Sequence, residues 1–350
     1  MRIILSIIIL ALSINSTKAE GLINWMSLQE ALDAQAKNYK PIFLDAYTDW
    51  CGWCKKMDQN TFNHPEIAKL IGNYYYPVKF DAECNDTIVF QGKTYINSGW
   101  SRYEATLKEY EIQIAAGNKV RKPRKPTHDL TAVLLKGKLS YPTIVYIQDQ
   151  GRVIPVPGYQ DPKKIQPQLI WVGENASKTT PYDQFLASFN VTFQTPNANK
   201  HKVNWIGIEK ALELQKTDKK DILIFFDANW STTCKMMHNS FSDSSIVAYL
   251  NDNYHCVLFD AISKEPVTAF GHTFTNESEK PALHQFTSYF LSKNLAFPAI
   301  VFLSPEQKPV GFTNYFFTSE ALEKIIKYYG DDHYKTESWE LYLKRIQSGK

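Results

Sequence analysis

Pro41-Ile42-Phe43-Leu44-Asp45-Ala46-Tyr47-Thr48-Asp49-Trp50-Cys51-Gly52-Trp53-Cys54-Lys55-Lys56-Met57 contains an apolar strand-like run, a short turn, two cysteines three positions apart and a helix-favouring tail. A strand that breaks straight into a helix leaves the first helical amides without intrahelical partners, and Cys51 falls at that end. The helix dipole and those amides favour a thiolate there. Cys54 lies one turn further in and is expected to be the more buried thiol. It can attack a mixed disulfide formed at Cys51, so the pair can form a reversible disulfide and carry two electrons.

Reading outward, the chain repeats itself. Asn24-Trp25-Met26-Ser27-Leu28-Gln29-Glu30-Ala31-Leu32 recurs as Asn204-Trp205-Ile206-Gly207-Ile208-Glu209-Lys210-Ala211-Leu212, an offset of 180 residues. Trp50 and Cys54 fall on Trp230 and Cys234 at the same offset; one residue is then lost, and Phe62 falls on Phe241 and Asp81-Ala82 on Asp260-Ala261. Tyr141-Pro142-Thr143-Ile144-Val145-Tyr146 matches Phe297-Pro298-Ala299-Ile300-Val301-Phe302, and Gly173 matches Gly330. Asp81 to Pro142 spans 61 positions against 38 from Asp260 to Pro298, so the first copy carries about 23 additional residues. These include the basic segment Lys119-Val120-Arg121-Lys122-Pro123-Arg124-Lys125-Pro126, read either as a solvated loop or as an anionic docking surface.

The 350 residues, 44% hydrophobic and 14% aromatic, suffice for two cores. Arg2, an apolar run from Ile3 to Leu12 and Thr17-Lys18-Ala19 read as a signal peptide over residues 1–19. The boundaries expected are a first domain at 20–193, a linker at 194–202 and a second domain at 203–350. No later stretch reaches the roughly 18 apolar residues of a membrane span. Five cysteines are too few and too irregular for a disulfide-stapled scaffold. A net charge of +3 argues against a nucleic-acid partner. Each copy is expected to run helix (28–36; 208–215), strand (42–46; 222–227), helix, strand (76–81; 256–260), helix, strand from the proline, hairpin partner (153–158; 310–314), helix. That alternation predicts a central sheet flanked by helices.

These residues resemble the thioredoxin superfamily over nearly all of each half. The resemblance rests on Trp50-Cys51-x-x-Cys54 after a buried strand, an acid six residues before the first cysteine (Asp45), and Tyr141-Pro142-Thr143 opening a later strand. The first half is similar to exported bacterial thioredoxin-like proteins and to the C-terminal domain of the transmembrane disulfide reductase that feeds electrons to the periplasm. The implied fold is α/β, two tandem thioredoxin-like domains, each a central mixed β-sheet flanked by helices. Cys51 is then the nucleophile, a small exposed thiol, and Cys54 the resolving thiol. Asp45 is either a buried base with a raised pKa or an exposed strand-end acid. Pro142 is expected to be cis, which would leave the Tyr141 backbone free to pair with a client segment, or else is a plain strand-start proline. Trp50 and Trp53, about Gly52, either rim a client site or pack internally. Gly52-Trp53 replaces the Gly-Pro of cytosolic thioredoxin and leaves the direction of electron flow open. Cys84 is a spare thiol or a secondary acceptor.

In the second copy the first cysteine is Ser231 and the position of Asp45 is Phe225. Redox chemistry is lost there, since a hydroxyl is too weakly acidic for exchange. Cys234 is left as a small buried hydrophobe or a lone trapping thiol, and Cys256 as core. Phe297-Pro298, with Phe312, Tyr315, Phe316 and Phe317, is a candidate client groove. The reading is an exported thiol–disulfide oxidoreductase, periplasmic or secreted. It uses no cofactor or metal beyond the Cys51–Cys54 disulfide, and its partners are thiol- or disulfide-bearing clients and a membrane or soluble thiol redox protein. The alternatives are a non-enzymatic client-binding scaffold or a redox sensor with a static disulfide.

Overall fold

The structure, a computed structural model, describes residues 21–194, 201–280, 282–291 and 295–349. The expected signal peptide and most of the expected linker lie outside the described residues.

In the first half, α1 (Leu28–Lys37) starts at Ser27, whose hydroxyl accepts the Glu30 amide while Glu30 returns a bond to the Ser27 amide. Next come β1 (Ile42–Tyr47), α2 (Gly52–Met57), a π-helical turn (Asp58–Phe62), α3 (Pro65–Tyr74) and β2 (Tyr76–Asp81). A small hairpin, β3 (Ile88–Phe90) and β4 (Lys93–Tyr95), leads to α4 (Trp100–Ala115) and α5 (Asp129–Leu134). The half closes with β5 (Thr143–Ile147), β6 (Val153–Pro157), α6 (Pro162–Gly173) and α7 (Tyr182–Gln194). The sheet order is β2-β1-β5-β6, with β1–β2 parallel and the other two pairings antiparallel.

The second half repeats this as β7 (Trp205–Ile206), α8 (Ile208–Leu214), β8 (Asp221–Asp227), α9 (Thr232–Ser240), α10 (Ser244–Asn253), β9 (Tyr254–Asp260), the hairpin β10 (Val267–Ala269) and β11 (His272–Phe274), α11 (Gln285–Leu291), β12 (Ala299–Leu303), β13 (Pro309–Thr313), α12 (Ser319–Gly330) and α13 (Trp339–Gln347). Its sheet order is β13-β12-β8-β9-β7. Mixed sheets flanked by helices, two in tandem, are the fold that the alternation of elements predicts. The hairpins and helices α4, α7 and α13 go beyond that expectation: three-residue strands are too short for a period, and α4 buries no residue, although Tyr182, Phe185, Phe189 and Phe193 give α7 an apolar stripe.

Two differences between the copies become physical here. The residue lost in copy two is held in copy one by the π-helical turn, which takes up one more residue than an α-turn and restores the phase of the residues beyond it. Phe62 and Phe241 therefore both meet their tryptophans edge-on, Trp25 and Trp205, at 5.2 Å. The insertion is framed by matched anchors. Asn97 and Asn276 donate to loop carbonyls, and the His128 and His284 rings each accept the amide two residues on. Everything added to copy one lies between them, as α4 and the basic segment.

One apolar cluster runs through both halves. Phe185 of α7 meets Phe316 edge-on at 5.8 Å, and the Thr179 hydroxyl donates to the Phe316 carbonyl at 3.2 Å. Phe316 and Phe317 are buried in this junction, 0% and 9% exposed, so they do not belong to a client groove; the expectation for them is corrected by their packing. Glu174, just past α6, reaches across to the start of α9. Its carboxylate accepts the amides of Thr232 (3.0 Å) and Thr233 (2.8 Å) and the hydroxyls of Ser231 (2.8 Å) and Thr233, and is steadied by the Tyr74 hydroxyl at 2.9 Å. Gly173 before it has no room for a side chain: a Cβ would lie 2.8 Å from that of Tyr74.

Removing this carboxylate strands several buried donors, each costing about 1–3 kcal/mol, with water entering the cleft to offset part of the loss. Glu174→Ala is therefore expected to lower stability by about 2–4 kcal/mol in a urea titration, with Glu174→Gln intermediate. An unchanged midpoint would mean that the clasp carries no stabilisation.

Candidate functional site

The start of α2 is built from its neighbours upward. β1 is buried along most of its length and ends at Tyr47; Cys51 donates its amide to the Thr48 carbonyl (3.1 Å) and takes extended φ/ψ as the N-cap. Its sulfur accepts the Cys54 amide at 3.1 Å, so sulfur satisfies one of the unpaired amides that a Ser or Asp satisfies elsewhere. Cys51 and Cys54 are joined as a disulfide with Cα atoms 5.3 Å apart. Cys51 is 5% exposed and Cys54 1%, so the order of accessibility is as expected, but Cys51 is not an exposed group. The exposed groups are its neighbours, Trp50 at 61% and Trp53 at 57%. Trp50 donates its indole N–H to Glu83 at 2.9 Å and stands edge-on to Tyr141 at 6.0 Å; Trp53 lies against Tyr159 at 5.5 Å with the Lys56 ammonium over its ring. Both indoles are thus packed on one side and open on the other. Gly52, between the sulfur and Trp53, has open space around it.

The Tyr141–Pro142 and Phe297–Pro298 bonds are cis. Neither the amide nor the carbonyl of Tyr141 bonds a described residue. In the second copy the carbonyl of Phe297 accepts the Thr233 hydroxyl at 3.4 Å. The backbone edge beside the disulfide is open, while the matching edge in copy two is engaged.

Asp45 sits within β1, fully buried, opposite Lys79 on β2. The Lys79 ammonium is 2.7 Å from Asp45 Oδ2, also pairs with Asp58 in the π-helical turn, and lies over the rings of Trp25, Tyr47 and Phe62 at 5.0–5.2 Å. Burial raises the Asp45 carboxyl to about 6, with Lys79 pulling against it. Burial pulls the Lys79 ammonium down, but the two carboxylates more than offset this and hold it above its usual value. Asp45 Oδ1 has no partner among the described residues. Sequence reasoning does not single out Lys79 or Asp58. A signal exists in the register: Lys79 is a charged residue in the middle of a mostly apolar strand, and Asp58 lies in the segment where the repeat loses its phase.

The second copy keeps the geometry and loses the groups. Ser231 caps α9 as Cys51 caps α2, its hydroxyl accepting the Cys234 amide at 3.1 Å. Phe225 and Leu258 replace Asp45 and Lys79, and His238, which follows Met237 as Asp58 follows Met57, pairs with Asp227 at 2.8 Å. Cys234 is fully buried and burial pushes its thiol far above the usual range; Cys256 is 2% exposed and pushed up to about 12. Cys84 is free and half-buried. Trp230 stands edge-on to Phe297 (5.7 Å) much as Trp50 stands to Tyr141, and beside Pro298 a cleft of about 470 Å3 opens, lined by Tyr74, Glu174, Trp230, Leu283, Leu295 and Phe297. Its polar floor is the Glu174 carboxylate, already saturated by its hydrogen bonds. Among the described residues no helix is long and apolar enough to cross a membrane.

Comparison with known proteins agrees with this geometry. Residues 28–170 match the model of a family described as a thioredoxin-like domain, and residues 204–305 one described as thioredoxin-like. Among curated proteins, the thiol:disulfide interchange protein DsbD of Salmonella typhimurium is 28% identical over 137 residues, 38% of this chain and 17% of that protein. DsbD of Salmonella typhi is 46% identical over 46 residues, 13% of this chain and 8% of its own, and human spermatogenesis-associated protein 20 is 40% identical over 55 residues, 16% and 7%. The chain thus spans less than a fifth of the length of these relatives. A solved structure described as DsbH oxidoreductase aligns with 21% identity and a TM-score of 0.27, covering 37% of this chain and 89% of its own. With both halves matched by thioredoxin-like families and one half holding a Cys-Gly-Trp-Cys disulfide at a helix N-terminus, the chain belongs to the thioredoxin superfamily as a protein of two tandem domains similar to DsbD.

Proposed function

We propose that the protein is an exported thiol–disulfide oxidoreductase that reduces or interchanges disulfides in client proteins through Cys51 and Cys54, with a second domain that is redox-inactive and binding or structural. The observation that carries this reading is the position of the Cys51 sulfur as the hydrogen-bonded N-cap of α2, where negative charge on sulfur is stabilised by the same amide that the disulfide sulfur now accepts. The leader-like residues 1–19 and the similarity to DsbD support export, with the periplasm as the compartment.

In the reductive direction the Cys51 thiolate attacks one sulfur of a client disulfide. That bond breaks, a Cys51–client mixed disulfide forms, and the other client sulfur leaves as a thiolate and takes a proton. Trp50 and Trp53 hold the client, whose backbone pairs with the open Tyr141 edge. Asp45 as carboxylate accepts the Cys54 proton, the Cys54 thiolate attacks the Cys51 sulfur, and the second client thiol departs. Two electrons have passed to the client and the Cys51–Cys54 disulfide remains. A thiol-bearing redox protein, membrane-bound or soluble, must then reduce it.

The first test is turnover of insulin disulfides with dithiothreitol as donor. Cys51→Ser is expected to abolish turnover, and Cys54→Ser to accumulate a mixed disulfide visible on non-reducing gels; full activity in Cys51→Ser would overturn the reading. Equilibration against glutathione buffers sets the direction: about −270 mV marks a reductase and about −120 mV an oxidant.

Asp45 provides a pH test with a definite sign. Its folded-state pKa of about 6 stands above the ordinary 3.8, so the folded chain binds the proton more tightly than the unfolded one. Stability from the protonated carboxyl is full below about pH 4 and is lost as pH rises through 6. The stability difference between wild type and Asp45→Asn in the oxidised state is expected to shift by about 2 kcal/mol against wild type between pH 4 and pH 7. A pH-independent difference would remove Asp45 as the titrating group.

Restoring only the missing cysteine is not expected to restore chemistry in the second domain. In a Cys51→Ser background, Ser231→Cys should remain inactive on insulin, since the Glu174 carboxylate occupies the helix end that a thiolate would need. Turnover by that double variant would show the second site to be merely one residue from function.

A further inference from the structure

The insertion of copy one is the largest difference between the repeats that the proposed chemistry does not use. It carries the strongest charge asymmetry in the molecule. Five of the 39 Lys and Arg lie in residues 119–126 with no acid among them; the rest of the chain holds 34 basic against 36 acidic residues. Pro123 and Pro126 keep the segment extended. Its C-terminal end is tied to the redox site: the Lys125 ammonium is 2.9 Å from Asp49, next to Trp50, and 3.9 Å from Asp81. The acids nearest this anchor are already engaged. Asp49 is held by Lys125, Asp81 accepts the Glu83 amide, and Glu83 accepts the Trp50 indole. Lys119, Arg121, Lys122 and Arg124 are exposed and form no ion pair with a described residue. Arg124 is one residue, about 3.8 Å along the chain, from the anchor.

We propose that Arg121, Lys122 and Arg124 form a docking surface for an acidic, extended segment of the protein that exchanges its disulfide at Cys51. The inference rests on the oxidoreductase reading and names the chemistry of its partner. A cationic strip pinned beside a reactive sulfur steers a negatively charged segment into register with it, raising the association rate and disfavouring basic clients. Copy two supports the same point by contrast: with no working sulfur pair, it has no counterpart of the segment. The neighbouring helix α4 favours a protein over an anionic membrane surface. It buries no residue and exposes Ile112 and Ile114, but carries Glu104, Glu109 and Glu111 against Arg102 and Lys108.

The experiment uses the reduced full chain and three peptides sharing one disulfide-bridged core, flanked by four Glu, four Ser or four Lys. Rates are followed by tryptophan fluorescence. Wild type is expected to favour the Glu-flanked peptide over the Lys-flanked one by at least about tenfold at low salt, shrinking to about twofold near 0.5 M. The R121E/K122E/R124E variant is expected to reverse that order while leaving the Ser-flanked rate within about twofold of wild type. Equal rates on all three peptides overturn the proposal. So does a variant that slows all three alike, which marks the segment as structural, or binding to phosphatidylserine vesicles without any peptide preference. If wild type reduces none of the peptides, the oxidoreductase reading fails; fluorescence-anisotropy titration of the alkylated Glu-flanked peptide then decides docking separately. Binding lost in the triple variant sustains docking, and no binding to wild type overturns it.

Discussion

A helix that begins immediately after a buried strand presents unpaired amides to whatever lies at its end, and how those amides are satisfied governs both halves of this protein. In the first half the acceptor is sulfur, so the helix end and the proposed redox centre are one feature: the amide that caps α2 is bonded to the Cys51 sulfur of the disulfide. In the second half the acceptors are the Ser231 hydroxyl and the Glu174 carboxylate. The same demand for acceptors thus places a disulfide at the helix end of one domain and a fastening point between domains at that of the other.

The rest of the first half is arranged around that helix end. Asp45 is carried beneath apolar cover by β1, and only Lys79, opposite it on β2, makes an ionised carboxylate tolerable there. Lys79 is in turn held by Asp58, which the π-helical turn supplies, and by three aromatic rings. Where the cysteine pair is gone, the ionic set is gone with it: Phe225 is core, the half-buried Leu258 packs against it, and a regular helix replaces the π-helical turn. A buried charge costs stability, so its replacement by apolar groups is the outcome that solvation favours.

The two domains are not beads on a string. Phe185, Phe316 and Phe317 extend one apolar core across the junction, and the Glu174 clasp closes one side of it. The Phe297 carbonyl, the counterpart of the open edge at Tyr141, is engaged by Thr233. The second domain therefore packs against the first and keeps its own backbone edge occupied.

Much of this was legible in the linear chain. Cys51, Cys54 and their helix end, the duplicated order of strands and helices, the degeneration at Ser231 and Phe225, and the position of the insertion all come from spacing and from an internal repeat, which are properties of sequence alone. Pairings between residues distant in sequence required the folded molecule. Lys79 beneath Asp45 depends on strand register, Asp58 on a π-helical turn that no local pattern signals, and Glu174 on the placement of one domain against the other. Phe316 and Phe317 read as a surface groove in the sequence because hydrophobicity says only that a residue seeks cover. Which surface covers it, the first domain's α7 for Phe316 and the second domain's own α9 for Phe317, is decided by tertiary packing.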